Sequence, residues 1–153
     1  MRMRNCMAVL AAVAVAVALA AGPVAAQQKV IKIGALYPLT GNLAATGMDC
    51  KRGVDLAVEI INGKYDLNLP FAKEEGIPGM GGAKIEVVYA DTKGDPKNGL
   101  AEAERLITQE KVVALIGAYQ SAVTKTGSQA AERLKTPFVC SDSSSPTLTQ
   151  SGF

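Results

Sequence analysis

Two hydrophobic periods alternate along the chain, one typical of strands and the other typical of helices. The segment KVIKIGALY, residues 29–37, is apolar and rich in β-branched residues, as expected for a strand. Small and polar residues follow it, and apolar positions at helical spacing then continue to Gly63. This pattern predicts a strand, a loop and a helix that begins near Ala44. The positions that the helix is expected to bury are Val54, Leu56, Ala57, Ile60 and Ile61.

The same order recurs further along the chain. KIEVVYAD, residues 84–91, is typical of a second strand. Asp95 and Pro96 then stand where the N-cap and the first residue of a helix belong. The apolar stripe of this second helix consists of Leu100, Ala103, Leu106 and Ile107. The remaining predicted elements are a third strand at 112–118, a third helix at 121–135 that Gly127 weakens, and a fourth strand at 137–142.

Strands that alternate with helices at this spacing predict an α/β fold, in which right-handed crossovers build a parallel sheet covered on both faces. Such sheets bind ligands beyond the carboxyl ends of their strands, so the loops that follow the strands hold the candidate site residues. These loops are residues 38–47, 91–96, 118–124 and 141–149. Three of them are rich in Ser, Thr and Gly and nearly free of charge.

Ser121 is the residue in these loops with the clearest candidate role. It stands at the predicted start of a helix, where free backbone N–H groups and the helix dipole favour an anionic group such as a carboxylate. A local explanation is equally open at this stage. Ser121 is also a favoured N-cap residue, and SDSSSP, residues 141–146, has the composition of a simple turn.

The first 26 residues have the layout of a secretory signal peptide. Two arginines precede an apolar run at residues 8–21, and small residues ahead of Gln27 predict cleavage after Ala26. The alternative is an uncleaved membrane anchor, which needs roughly 18–20 apolar residues. The run is shorter than that and is followed by a glycine and a proline, so we expect a periplasmic protein with a cleaved signal peptide.

Charge and composition exclude several functions. The chain has 16 Lys and Arg against 14 Asp and Glu, and removal of residues 1–26 takes away two arginines and leaves 14 against 14. A neutral mature chain offers no basic surface for nucleic acid. The sequence contains no histidine, which excludes Ser-His-Asp triads and the common zinc sites within it.

No other sequence feature favours an enzyme. None of the nucleophile-elbow, Walker A and dinucleotide-binding motifs follows a predicted strand. The glycines of GMGG, residues 79–82, precede a strand and predict a tight turn, and the acidic pairs Glu102 with Glu104 and Glu74 with Glu75 are typical of solvated faces. We therefore expect a protein that has no catalytic residues, no metal site and no cofactor.

Three stretches, taken together, resemble the amino-terminal lobe of the periplasmic leucine/isoleucine/valine-binding proteins, which are the solute receptors of ABC importers. They are KIGALYPLTGNLAATGMDCKRGVDLAVEIIN at 32–62, ADTKGDPKNGLAEAERLI at 90–107, and VVALIGAYQSAVTKTGSQAAERLKTPFVCSDSSSPTLTQSGF at 112–153. The resemblance implies a type I periplasmic binding protein fold, with two Rossmann-like, doubly wound lobes that close on a small ligand. Residues 27–153 are then an incomplete first lobe, and the second lobe is absent from the sequence.

The resemblance also implies a set of ligand-binding residues. Ser121 and Ser144 correspond to neutral donors to the carboxylate of the ligand, and the main-chain carbonyl at Asp142 corresponds to an acceptor for its ammonium. Thr46 corresponds to a side chain that lines the pocket. The complete expected set is Thr46, Gln120, Ser121, Asp142 and Ser144.

The chain departs from the family pattern in two places. An acid at Asp142 replaces a residue that is often small and apolar, which is expected to strengthen ammonium binding or to favour cationic or amide ligands. Gly94 and Gln120 occupy the positions of a disulfide found in some relatives, so that disulfide is absent. Cys50 in the first helix and Cys140 in the fourth strand are expected to lie too far apart to pair, and to be two buried free thiols.

Residues 64–83 are too long for a plain connection, and we expect a surface insertion on the face opposite the cleft. The function that the resemblance implies is capture of a branched-chain or related amino acid, or a small amide, by a monomeric protein that delivers it to ABC permease subunits. Two alternatives stay open. One is a ligand-sensing domain of a receptor or regulator with the same fold, and the other is a doubly wound hydrolase or transferase whose catalytic residues lie in other sequence.

The first testable prediction concerns the amino terminus. We expect the exported protein to begin at Gln27, because the small residues before it form the cleavage site. Edman sequencing or intact mass of material isolated from the periplasm measures this directly. Exported protein that begins at Met1 would support the membrane anchor instead.

Overall fold

A computed structural model describes residues 29–150, which form alternating strands and helices. The predicted signal peptide lies outside the described residues. The strands are β1 (Val30–Tyr37), β2 (Lys84–Asp91), β3 (Ala114–Gly117) and β4 (Phe138–Val139). The α-helices are α1 (Ala44–Asn62), α2 (Pro96–Thr108) and α3 (Ser121–Arg133), and short 3-10 helices span Pro78–Met80 and Pro146–Gln150.

The four strands form one parallel sheet in the order β2-β1-β3-β4. β1 lies inside the sheet and pairs with β2 along its whole length, from Val30 opposite Lys84 to Tyr37 opposite Asp91. On its other side Ile33 lies opposite Ala114 of β3. The predicted α/β fold with a parallel sheet is confirmed.

The main hydrophobic core lies between the sheet and the pair of helices α2 and α3. Leu36 of β1, Leu106 of α2 and Leu115 of β3 are fully buried there, and Val123 of α3 joins them. Burial of a side chain of this size contributes about 1.5–3 kcal/mol relative to exposure. This core fixes α3, and with it the loop that precedes α3, against the sheet.

Helix α1 packs on the opposite face, against β1 and β2. Part of this contact is polar, because the Tyr89 hydroxyl donates to Asp55 Oδ1 at 2.7 Å and Lys51 Nζ lies 4.3 Å from the centroid of the Tyr89 ring. The predicted burial is wrong for two positions, since Leu56 is 58% exposed and Ala57 is also exposed. The other three predicted positions, Val54, Ile60 and Ile61, are half-buried.

The helix ends follow the predicted signals. Asp95 caps α2, with its carboxylate accepting from the N–H of Asn98 at 2.9 Å, and Pro96 is the first helical residue. α1 ends at Asn62, whose side-chain amide exchanges two hydrogen bonds with the backbone of Ile85, at 2.7 and 2.8 Å. That pair of bonds ties the end of α1 to the beginning of β2.

The carboxyl-terminal elements are shorter than predicted. β3 covers 114–117 rather than 112–118, and β4 covers only 138–139 rather than 137–142. The chain leaves the sheet after Val139 because side chains of the following loop bond to the loop after β3 instead of extending the ladder. The segment 146–150, predicted as loop, forms a 3-10 helix. α3 continues through Gly127, which does not interrupt it.

Residues 64–83 connect the end of α1 to the start of β2, so they lie at the amino-terminal edge of the sheet. Gly76 N–H donates to Ile61 O at 2.8 Å, and Ile77 pairs with Ala83. The predicted tight turn is confirmed at Gly81 and Gly82, which both have positive φ. Several apolar side chains of this segment are exposed, namely Tyr65, Leu67, Leu69, Phe71 and Met80.

Within residues 29–150, no helix has both the length and the apolar character needed to cross a membrane.

The second prediction compares two glycines of α1. Ala in place of Gly47 would put a Cβ 2.0 Å from the carbonyl oxygen of Pro38, whereas a Cβ at Gly53 meets nothing within 4 Å. We expect Gly47→Ala to lower the free energy of unfolding by about 1–3 kcal/mol through overpacking. We expect Gly53→Ala to raise it by roughly 0.5–1 kcal/mol through helix propensity. Urea unfolding followed by circular dichroism measures both, and a change of the same sign in the two variants would contradict the packing shown here.

Candidate functional site

The carboxyl ends of the strands lie together at one edge of the sheet. β1 ends at Tyr37, β2 at Asp91, β3 at Gly117 and β4 at Val139. Gly117 has φ +111°, and a Cβ there would lie 2.4 Å from the carbonyl oxygen of Leu36, so only glycine fits this close approach of β3 to β1. The four loops that follow these residues form the candidate site.

Asp91 organises the first of these loops. Its Oδ1 accepts from the backbone N–H groups of Leu39 at 2.8 Å and Lys93 at 2.9 Å, and its Oδ2 accepts from the Thr40 hydroxyl at 2.5 Å. Burial alone would raise the pKa of Asp91. The hydrogen bonds outweigh burial and hold the pKa of this carboxyl below its ordinary value of 3.8. Asp91 is therefore an ionised clamp between the loops after β1 and β2.

Ser143 joins the loop after β4 to the loop after β3. Its hydroxyl donates to the carbonyl oxygen of Ala118 at 2.7 Å and lies within hydrogen-bond distance of the hydroxyl of Thr124. Thr124 is buried and also donates to Ala118 O, at 3.1 Å. These bonds place residues 141–145 beside the first turn of α3.

Ser121 is the first residue of α3, and Gln120 is the N-cap, without a side-chain capping bond. The open alternative that Ser121 acts merely as an N-cap is therefore wrong. The Ser121 Oγ accepts from the backbone N–H of Ser145 at 3.3 Å. Because this bond uses a lone pair of the oxygen, it leaves the O–H proton available to donate. The arrangement suits an acceptor such as a carboxylate, at the positive end of the α3 dipole.

The Gln120 side chain links two loops. Its Nε2 donates to the carbonyl oxygen of Gly94 at 3.1 Å. Gln120 and Gly94 are the two positions at which the resemblance implies a disulfide in some relatives, so a hydrogen bond joins them here. Its Oε1 is buried, and it has no hydrogen-bond partner among the residues that the structure describes. The predicted role of Gln120 in ligand binding stays a prediction, and the amide nitrogen already has a structural role.

Asp142 belongs to the loop after β4, and its side chain approaches helix α1. Its Oδ2 accepts from the Ser141 hydroxyl at 2.5 Å, and its Oδ1 is 4.0 Å from the Cys50 sulfur. The Tyr37 hydroxyl, at the end of β1, is 3.3 Å from Ser141 Oγ. Burial raises the pKa of Tyr37 and of Cys50, and the charge of Asp142 raises both further, so these two groups remain neutral.

The two cysteines of this region are unpaired in the structure. The expectation that they are buried is wrong, since Cys50 is half-buried and Cys140 is exposed. Cys140 directly follows β4, whose last residue, Val139, is also exposed, and the Cys140 sulfur lies 3.6 Å from the carbonyl oxygen of Ser143.

The structure brings some predicted site residues together and leaves others apart. Ser121 meets the loop that contains Ser144, which is itself exposed. Thr46 is half-buried in the first turn of α1, one turn before the cysteine that faces Asp142. The side-chain amide of Gln120 is hydrogen-bonded to the carbonyl oxygen of Gly94, in the loop after β2. The role of the full set in ligand binding stays a prediction.

Sequence reasoning missed three residues that organise the site: Tyr37, Asp91 and Ser143. The position of Tyr37 and Asp91 was an available signal, because each is the last residue of a strand whose carboxyl end was expected to face the ligand. Ser143 carried no separate signal, since it lies within a run of similar serines.

Of the hollows within residues 29–150, two illustrate that a concave surface is not confined to the predicted ligand-binding residues. One, of about 280 Å³, is bounded by α3 and β4 and is lined by residues including Ser128, Ala131 and Phe138. The other, of about 300 Å³, lies on the 64–83 segment beside Leu69 and Phe71. Neither contains a residue of the predicted ligand-binding set.

Comparison with protein families gives a match to the family described as "Periplasmic binding protein" over residues 30–153. The chain belongs to the periplasmic binding protein family. Curated relatives of this periplasmic binding protein include "Leu/Ile/Val-binding protein homolog 7" of Brucella abortus, which is 35% identical over 108 residues that make up 71% of this chain and 24% of that protein. An "Amino acid binding protein" of Pseudomonas aeruginosa is 30% identical over 122 residues, or 80% of this chain and 29% of that protein.

Solved structures of periplasmic binding proteins share the fold. The branched-chain amino acid transporter substrate-binding protein LivJ of Streptococcus pneumoniae, in complex with isoleucine, has a TM-score of 0.65 and 31% identity, over 80% of this chain and 31% of that one. The leucine-binding protein LivK of Thermotoga maritima has a TM-score of 0.65 and 29% identity, over 79% of this chain and 30% of that one. The predicted fold class and the resemblance to branched-chain amino acid receptors are confirmed.

The chain spans about a quarter of the length of the curated relatives it matches. Its family consists of binding proteins rather than enzymes, and such proteins act in the periplasm or outside the cell.

The third prediction concerns the clamp that Asp91 forms in this periplasmic binding protein. We expect Asp91→Asn to lower the free energy of unfolding by about 1–3 kcal/mol at neutral pH, because charge-assisted hydrogen bonds become neutral ones. The folded-state pKa of Asp91 is lower than 3.8, so the carboxylate stabilises fully above that pH and less as the pH falls through the folded-state value. The difference between wild type and variant should therefore shrink on acidification.

Urea unfolding at a series of pH values measures that difference. Asp66→Asn is the matched control, because it removes the same charge from an exposed position on the 64–83 segment. An Asp91→Asn variant as stable as the control at neutral pH would show that the clamp does not stabilise the edge.

Proposed function

We propose that this chain is the amino-terminal lobe of the substrate-binding component of an ABC importer, and that it captures branched-chain or related amino acids, or small amides. The observation that carries the proposal is the Ser121 hydroxyl, held by Ser145 N–H at the start of α3 with its own proton free to donate. The similarity to Leu/Ile/Val-binding protein homologues and to LivJ supports the ligand class.

Neutral donors suit the capture of a zwitterion. A carboxylate that enters a closed site loses its hydration and must regain hydrogen bonds. Hydroxyl and backbone N–H donors supply these bonds without an additional buried cation, whose own desolvation would offset the gain. Ser121 and the exposed Ser144, together with the first turn of α3, provide this type of donor at one edge.

The proposed mechanism is capture without chemistry. Residues 27–153 form one wall of the cleft, with Thr46 and Asp142 on the side of α1, and a second lobe closes over the ligand. The chain spans 31% of the length of LivJ, which supports a larger complete receptor. Residues 1–26 direct the protein to the periplasm, where it works as a monomer and delivers its ligand to the permease subunits of the importer.

The fourth prediction tests the two serine donors in the complete mature receptor. We expect Ser121→Ala and Ser144→Ala each to weaken leucine binding by about 1–3 kcal/mol, because a charged acceptor loses a hydrogen-bond donor. Isothermal titration calorimetry with leucine measures the change. Ser128→Ala is the matched control, since Ser128 lies two turns further along the same helix and its hydroxyl is 3.0 Å from Lys125 O.

Unchanged affinity in both serine variants would contradict the proposed donor role. If the wild-type receptor bound neither leucine, isoleucine and valine nor small amides, the proposed function itself would be wrong.

A further inference from the structure

One turn in the connection between α1 and β2 exposes two large apolar side chains. The turn is closed by a hydrogen bond from Ala72 N–H to the carbonyl oxygen of Leu69 at 3.3 Å, with Pro70 as its second residue. Leu69 is 51% exposed and Phe71 is 52% exposed, and both line the hollow of about 300 Å³ described above. Exposed apolar groups gathered in this way mark surfaces that contact a partner protein or a membrane.

The turn is attached to the rest of the protein at its base. Ala72 is fully buried, and its carbonyl oxygen accepts from the Tyr65 N–H at 2.6 Å. Further along, Gly76 N–H donates to the carbonyl oxygen of Ile61, in the last turn of α1, at 2.8 Å. These bonds tie the segment to itself and to α1, so the exposed turn is part of the folded structure.

Phe71 occupies a backbone position that does not suit a large side chain. It is the third residue of the turn and has a positive φ of 61°, in the left-handed region that glycine or asparagine normally fills. A bulky residue carries a conformational cost there, and an exposed ring gains little burial that could offset it. Such a cost is typical of residues that act on something outside their own fold.

The charges around the turn are balanced rather than of one sign. A second hollow, of about 410 Å³, is lined by Lys64, Tyr65, Asp66 and Lys73, and Lys73 also lines the first hollow together with Glu74. Neither the two lysines nor the two acids belong to an ion pair within the described part of the chain. A neutral set of both signs matches the paired phosphate and ammonium groups of zwitterionic lipids, whereas a strongly anionic partner would need an excess of basic residues.

The turn lies at the edge of the sheet opposite the candidate ligand site, and the chain enters the fold at the same edge. Lys84, the first residue of β2, donates its N–H to the carbonyl oxygen of Lys29 at 2.9 Å. The apolar run of the predicted signal peptide ends at Ala21, and the chain from there to Lys29 spans at most about 28 Å. A precursor whose apolar run is in the membrane therefore has this edge beside the bilayer and the ligand site at the far edge.

We propose that residues 64–73 bind the surface of a phospholipid bilayer with zwitterionic headgroups. Leu69 and Phe71 enter the boundary between the headgroups and the acyl chains, and Lys64 and Lys73 extend their ammonium groups to the phosphates. The inference goes beyond the proposed function, which concerns the opposite edge of the sheet. Contact of this kind concentrates the receptor at the membrane that contains the permease.

The fifth prediction measures flotation of the complete mature receptor with vesicles made of equal parts of phosphatidylethanolamine and phosphatidylcholine. We expect wild type to float with the vesicles. Phe71→Gly and Leu69→Ser should each lower the partition coefficient by about tenfold or more, because less apolar surface enters the bilayer. Raising the salt concentration from about 0.1 M to about 1 M should change wild-type binding by less than about twofold, because the local charges are balanced.

Three comparisons make the test specific. Phe71→Gly removes the strain at positive φ together with the ring, so urea unfolding should show a variant at least as stable as wild type. Leu56→Ser is the matched control for Leu69→Ser, because Leu56 is 58% exposed on α1, and it should leave vesicle binding unchanged. Phe71→Trp keeps an aromatic ring suited to the membrane interface and should keep the binding.

Loss of flotation in Phe71→Gly, with leucine affinity unchanged in calorimetry, would support the inference independently of the ligand site. Wild type that stays separate from the vesicles would overturn it, and so would an equal loss in Leu56→Ser. Binding that disappears at high salt would show attraction between charges in place of apolar insertion and would also overturn it. A receptor dimer in analytical ultracentrifugation that Phe71→Gly dissociates, without vesicle binding by wild type, would assign the surface to contact between copies instead.

Discussion

The position of β1 inside the parallel sheet is the constraint on which the remaining architecture depends. β1 is hydrogen-bonded to β2 along eight residues on one side and to β3 on the other. Gly34 leaves room for Leu106 and Leu115, whose atoms would lie within 3 Å of any Cβ at that position, so the main core closes directly on this strand. A slip of one residue would exchange the two faces of β1 and separate the strand ends that carry the site.

The loops at the carboxyl edge are held mainly by bonds between side chains and backbone. Asp91 clamps the loop after β1, and Ser143 attaches the loop after β4 to Ala118. Bonds of this kind satisfy buried backbone groups and set the conformation of loops that have no ladder of their own. Within residues 29–150, these bonds fix the loops that contain the proposed ligand-binding residues.

The repeating pattern was sufficient to predict the fold, because the first two strands and the capped helix after Asp95 have strong local signals. Prediction failed where a tertiary contact decided the outcome. β4 is short because Ser143 bonds to a neighbouring loop, and Leu56 is exposed although its spacing is that of a buried helix position. Chain order alone also predicted that the carboxyl ends of the strands lie at one edge of the sheet, as the structure shows. The clamp by Asp91 and the hydroxyl geometry of Ser121 depend on atoms brought together by the fold, and no local spacing indicates them.

The bond between Gln120 Nε2 and Gly94 O joins the loop after β2 to the start of α3 without a covalent cross-link. Unlike a disulfide, this hydrogen bond needs neither an oxidant nor a thiol-exchange catalyst to form. Reducing agents do not break it. This link between the two loops is therefore independent of the redox state of the surroundings.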